Sequence, residues 1–204
     1  MIVTDIIYTE NKKYLVYLND APKFELYKSE IKSCLIEKGQ DLSYEQQKYI
    51  LENVIGKRAK KRAMHILEKH DKTERQLRDK LLENRYPQEC IDLAVDYVKS
   101  YGYIDDRAYA ERYVQYRSST KSKKKLKQEL MGKGISNEIV NEVLEKEEVE
   151  ESAAIEKLIL KKTSVPWELS REAREKLIMS LMRKGFAYRD IDAVFRKLQE
   201  ESLV

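Results

Sequence analysis

The sequence predicts a mainly α-helical protein: tandem three-helix, helix-turn-helix-like repeats in an elongated, curved array, headed by a small N-terminal module of β-hairpin and helices. Three observations predict it. Charged residues make up 37% of the 204, Glu, Lys, Arg and Leu are abundant, and there are only 6 Gly and 3 Pro, a balance that favours helix. Short runs rich in Ile, Val and Tyr are confined to the start of the chain. Downstream of them, one apolar pattern occurs three times.

The runs "IVTDIIYT", "KKYLVYLND" and "KFELYK" are separated by Glu10-Asn11 and Asp20-Ala21-Pro22, which reads as an antiparallel hairpin with room for a third strand. A helix is predicted from near Ser29 to Gly39. Ser43 and Gln46 form a capping box for the next helix, which runs to Gly56 or bends there and continues. Residues 1–56 are thereby one α+β module.

The repeat follows. "QLRDKLLENRYPQECIDLAV", "KLKQELMGKGISNEIVNEVL" and "KLIMSLMRKGFAYRDIDAVF" align without a gap. Leu77, Leu81, Tyr86, Ile91 and Val95 recur as Leu126, Leu130, Ile135, Val140 and Leu144, then as Leu177, Leu181, Phe186, Ile191 and Phe195. Spacing of four, a break at Arg85, Gly134 or Gly185, and spacing of four again describe two short helices joined by a tight turn. A preceding helix carries Ala63, Ile66 and Leu67, then Ala110, Tyr113 and Val114, then Ala154 and Leu158. The expected domains are 57–104, 105–148 and 149–204. Each has a thin core, so neighbours must lean on one another, as tandem modules do.

Between the first two repeats lies "GYIDD". Gly102 is placed just past a helix end, where a left-handed residue is needed. Asp105 fits the N-cap of the next helix, Asp106 adds negative charge to its first turn, and Ile104 can staple against Tyr109. The competing reading, a catalytic or metal site, needs a third ligand or a base. His65 and His70 lie five apart on an earlier helix, a poor geometry for a shared ion. Neither a catalytic residue, nor a metal, nor a cofactor is expected. Phosphate-binding loops, dinucleotide fingerprints and nucleophile elbows are missing from the sequence. Cys34 and Cys90 are too few and isolated for a disulfide framework and are expected to be half-buried helix residues. Trp167 in "SVPWELS" is expected to anchor packing rather than a partner. With no apolar run long enough to span a bilayer, no signal-like start and no heptad seam, the expectation is a cytoplasmic monomer.

Charge is uneven. Residues 1–56 hold 7 basic and 9 acidic groups, 57–104 hold 12 and 8, and 107–134 hold 9 Lys or Arg against Glu111 and Glu129. Such a cluster is either a solvated helix face or the footprint of a polyanion-binding surface. Arg112, Tyr116 and Ser119 share one stripe of the helix, and Tyr109 and Tyr113 are expected at the core edge. Arg117, Lys121, Lys123, Lys124, Lys125 and Lys127 have no apolar residues interleaved to bury them. With Arg107 and Arg112 they are the candidate contacts to a partner.

"GYIDDRAYAERYVQYR", the Lys-rich "SKKKLKQELMGKGIS" and "TERQLRDKLLENRYPQECIDLAVDYVKS" resemble the RecX family, bacterial regulators of the RecA recombinase. The resemblance is specific over 57–145 and one of layout elsewhere; "ENRYP" departs from the Lys-Gly turn of the other copies. It implies tandem three-helix domains, no catalytic activity, and binding to the RecA filament on single-stranded DNA, with damped filament growth, strand exchange and ATP hydrolysis. Direct contact with the DNA, with the recombinase or with both stays open. Two other readings are a helix-turn-helix-like nucleic-acid-binding protein and a helical scaffold for an unrelated partner.

Overall fold

The computed structural model describes residues 1–147 and 149–202. The chain divides into two compact units, Met1–Asp105 and Asp106–Val204.

In the first unit, β1 (Val3–Tyr8), β2 (Tyr14–Leu18) and β3 (Ala21–Leu26) form an antiparallel sheet in the order β1-β2-β3. Asn19 and Asp20 take positive φ (49° and 63°) to make the tight β2–β3 turn, as their short polar side chains permit. Val3, Val16, Leu18, Phe24 and Leu26 bury one side. Helix α1 (Lys28–Ser33) ends well before Gly39, where the sequence placed its stop. Leu35 turns left-handed (φ 51°), Ile36 enters the core, and the chain returns to the sheet edge. There Gly39 N donates to the Val3 carbonyl at 2.8 Å and Val3 N to the Gln40 carbonyl at 2.9 Å. Pairing with β1 therefore competes successfully with continuing the helix.

Ser43 and Gln46 form the expected capping box at the start of α2 (Tyr44–Tyr49). The helix widens into a π-helical stretch, Ile50–Ile55, and continues as α3 (Gly56–Leu67). Widening leaves the Leu51 carbonyl to accept from Gly56 N and from the Cys90 thiol at 3.2 Å. Helices α4 (Glu74–Glu83) and α5 (Gln88–Ser100) complete the first repeat. Sheet and repeat share one core running from Val3 to Ile104. Cys90 is fully buried in it and Cys34 half-buried at its edge.

The second unit holds two cores. One joins α6 (Asp106–Arg117), α7 (Lys123–Gly132) and α8 (Asn137–Lys146). The other joins α9 (Glu151–Leu160), α10 (Arg171–Arg183) and α11 (Tyr188–Glu201). A 3₁₀ turn, Pro166–Glu168, precedes α10; its Pro166 is buried, whereas Trp167 is 43% exposed and does not serve as the buried anchor expected of it.

Each repeat is built from the same three devices. A hydroxyl caps the middle helix: Thr73, Ser122 and Ser170 accept from the third amide onward. A left-handed residue ends that helix: Arg85, Gly134 and Gly185, at φ 60°, 90° and 93°. Then a polar clip joins the middle and last helices, Arg78 to Asp92, Lys127 Nζ to Asn141 at 2.7 Å, and Arg174 to Asp192. Repeats two and three also dock on each other. Ser122 N donates to the Lys184 carbonyl at 3.1 Å and Lys123 N to the Glu151 carboxylate at 2.8 Å. A Cβ on Gly185 would lie 2.4 Å from Ser122 Oγ and 2.7 Å from Lys125 Cβ.

Three tests check this packing. Gly185→Ala must both hold a left-handed Ala and overlap α7, so denaturant melts should show a loss of about 2 to 4 kcal/mol. Gly102→Ala, at φ 70° with nothing within 4 Å of the added carbon, should lose about 1 kcal/mol. Burial pushes the Cys90 thiol up to about 12, so alkylation at neutral pH should label Cys34 in the native protein and Cys90 only on unfolding.

Candidate partner-binding face

Helix α6 starts at Asp106, directly after Asp105, as the turn chemistry predicts. Gly102 N donates to the Lys99 carbonyl and Tyr103 N to the Val98 carbonyl, both at 2.9 Å, closing α5 with the left-handed glycine. Ile104 packs into the core of the first unit, and Tyr109 against that of the second repeat. "GYIDD" is thus a helix stop followed by a helix start. Among the described residues no group of three or more His, Cys, Asp or Glu is placed to hold a metal, and no helix is long and apolar enough to cross a membrane.

The candidate cations on α6 and α7 do several different jobs. Arg107 pairs with Glu142, and Glu111 with Lys146 at 3.2 Å, two parallel links that lace α6 to α8. Exposed pairs of this kind add little stability, and they leave Arg107 exposed to solvent. Lys127 is the clip to Asn141 described above. Lys121 lies 2.6 Å from both oxygens of Glu129, and Glu129 accepts a 2.7 Å hydrogen bond from the Tyr113 hydroxyl. Tyr109 and Tyr113 stack with centroids 6.3 Å apart, and Lys133 Nζ stands 5.8 and 5.5 Å from the two rings. The tyrosines are at the core edge, as expected.

Arg112, Arg117, Lys123 and Lys124 are exposed, whereas Lys121, Lys125 and Lys127 are half-buried. The expectation that nothing would bury the lysines therefore fails for the last three: Lys121 and Lys127 reach Glu129 and Asn141 with their heads while their stems stay against the repeat, and Lys125 is packed at its Cβ against the Gly185 turn. Arg117 stacks over the exposed Tyr116 ring at 5.2 Å. Lys123, Lys124 and Lys125 occupy the first turn of α7, which contains no acidic residue. A helix N-terminus favours anions, so three cations there oppose the macrodipole. Glu151, reaching from α9 to the Lys123 amide, offsets part of that repulsion.

Sequence reading missed a second constellation, in the first unit. Glu25 is buried and meets Lys13 and Arg85, each at 3.3 Å. Arg58 donates to the Glu25 carbonyl at 2.8 Å and stacks between Tyr27 and Tyr86 at 4.9 and 5.7 Å. This cluster fastens the sheet to the repeat. Its one sequence signal was arginine standing where the other copies have glycine: Arg85 reproduces their turn, with Tyr86 N donating to the Leu81 carbonyl at 3.2 Å, and sends its side chain to Glu25.

Fold and face define a class: tandem three-helix modules behind a small sheet-and-helix head, with cationic chemistry displayed on helix surfaces. A family model described as RecX, first three-helix domain, matches residues 59–97, and one described as RecX, second three-helix domain, matches 105–144. Regulatory protein RecX of Caldanaerobacter subterraneus is 31% identical over 199 residues, which span 94% of this chain and 97% of that one. That of Clostridium tetani is 34% identical over 164 residues, 78% and 76% of the two chains. The crystal structure of RecX from Lactobacillus salivarius matches with a TM-score of 0.56 at 26% identity, covering 71% of this chain and 97% of that one. Another crystal structure, of regulatory protein RecX, matches in fold with a TM-score of 0.59 at 24% identity over 98% of both chains. The chain belongs to the RecX family of regulatory proteins.

The Glu129 site gives a pH test. Burial raises the Glu129 pKa, but hydrogen bonds from Lys121 and Tyr113 outweigh it and hold the carboxyl below its ordinary 4.5. A depressed carboxylate contributes stability that is complete above its ordinary value and is lost as pH falls through the folded one. Glu129→Gln should therefore be less stable than the parent by about 1 kcal/mol at neutral pH, with the gap closing below pH 4.5 in parallel melts.

Proposed function

We propose that this chain is a non-enzymatic regulator that binds the RecA filament on single-stranded DNA and limits its growth, ATP hydrolysis and strand exchange. The basic face of the second repeat makes the contact. The observation that carries this reading is the placement of Lys123, Lys124 and Lys125 in a helix N-terminal turn without an acidic residue. Charge placed against a helix dipole lowers the stability of the free protein and is relieved when an anionic surface arrives. Arg117 and Arg112 lie exposed on α6, in the same repeat. Membership of a family of regulatory proteins supports the same reading.

The partner-facing set is led by the exposed Arg117, Lys123 and Lys124. Arg107, Lys121 and Lys127 are engaged by Glu142, Glu129 and Asn141 of their own repeat, and Lys125 lies against the Gly185 turn. The test is RecA ATP hydrolysis on single-stranded DNA with this protein titrated below one copy per recombinase subunit. Inhibition at such ratios is expected, since a filament is acted on as an assembly. The variant Arg117→Glu/Lys123→Glu/Lys124→Glu should fold normally, inhibit at least about tenfold less well, and show a flatter salt dependence. Salt-steep DNA binding with no effect on the recombinase would instead favour the helix-turn-helix-like nucleic-acid reading.

A further inference from the structure

The first unit carries an exposed aromatic ladder that neither the core nor the proposed filament contact uses. Tyr101 and Tyr103 are 63% and 55% exposed. Their ring centroids are 6.1 Å apart with planes 23° from parallel, and Tyr97 abuts Tyr101 at 4.9 Å. The turn that closes α5 sets this arrangement. Gly102 at φ 70° reverses the chain between the two tyrosines while Val98 and Ile104, on either side, go into the core. The platform is therefore held by backbone hydrogen bonds before any ligand arrives. Among the described residues neither the Tyr101 nor the Tyr103 hydroxyl makes a hydrogen bond, so the polar ends do not account for the positions of the rings. Single exposed aromatic residues need no explanation, but three in contact form a patch.

Cations border it. Lys60 Nζ lies 5.2 Å from the Tyr97 ring centroid. Lys57 and Lys61, one turn back and one residue on along α3, are exposed, and none of the three lysines has an ion pair among the described residues. Of the carboxylates near it in sequence, Asp96 lines a separate cavity with Glu89 and Asp92, and Asp105 and Asp106 follow Tyr103 at the start of α6.

We infer that Tyr97, Tyr101 and Tyr103 form a base-stacking platform for single-stranded nucleic acid, with Lys57, Lys60 and Lys61 tracking its phosphates. Aromatic faces beside an unpaired cationic row match a strand whose bases are free to stack and whose backbone is anionic. Duplex DNA hides its base faces and offers the rings nothing. The inference concerns a different unit from the filament contact proposed above, and its test uses free DNA without recombinase.

The measurement is fluorescence anisotropy of the full chain with labelled oligo(dT) and with an abasic oligonucleotide of equal length. The parent protein should bind oligo(dT) at least about fivefold more tightly than the abasic strand. Tyr101→Ala/Tyr103→Ala should lose that preference while binding the abasic strand as the parent does, and Tyr101→Phe/Tyr103→Phe should keep it. Equal affinity of the parent for the two strands, or an Ala variant with undiminished preference, overturns the platform. So does an Ala variant that binds DNA normally yet no longer affects RecA, which would assign the surface to protein. Should the Ala variant misfold, ultraviolet cross-linking of the parent to a bromouracil strand decides. Adducts on the peptide holding Tyr97, Tyr101 and Tyr103 are expected, and adducts confined to other peptides refute the assignment.

Discussion

The constraint on which this structure depends is the small interior of a three-helix repeat. Two short helices and their predecessor bury too few side chains to offset the entropy of ordering them. Every repeat here makes up the deficit through its neighbours. The first merges its core with the sheet and is pinned by Arg58 and Arg85 around the buried Glu25. The second and third keep separate cores but share a joint in which α7 receives a carboxylate from α9 and lies against the Gly185 turn. Within each repeat, a polar clip, a hydroxyl cap and a left-handed turn supply what packing alone does not.

The same constraint sorts the charges. A long cationic side chain near a thin core is drawn into supporting it, and Lys121, Lys127 and Lys133 all lie over tyrosines or against polar partners of their own repeat. What remains for a partner is a narrower set than the raw excess of positive charge suggests. In the proposed filament contact, the part falls to the exposed cations at the start of α7 and the end of α6.

Much of the fold was legible in the sequence because apolar periodicity is a local property. The aligned leucines, the Ser43–Gln46 box and the Gly102 turn each announce themselves within a few residues, and all stand as read. The end of α1 was not legible, since pairing of Gly39 and Gln40 with β1 joins positions far apart in sequence. The candidate site was legible as a charge density but not as a division of labour. Whether Lys127 faces Asn141 or solvent depends on how two helices pack, although the recurrence of Arg78 and Asp92 at the matching positions carried a hint. Likewise the stacking of Tyr97, Tyr101 and Tyr103 depends on how one turn reverses the chain, which residue spacing alone does not encode.

Arg85 occupies the one left-handed turn of the three repeats that is not glycine, and its guanidinium is answered by Glu25, 60 positions earlier in the chain. Losing the arginine strips a buried carboxylate of one of its cations, and losing the glutamate leaves an arginine in a strained backbone conformation with nothing in return. The pair thus joins the head to the first repeat: a graft cut at this boundary would keep it only by carrying both halves across together.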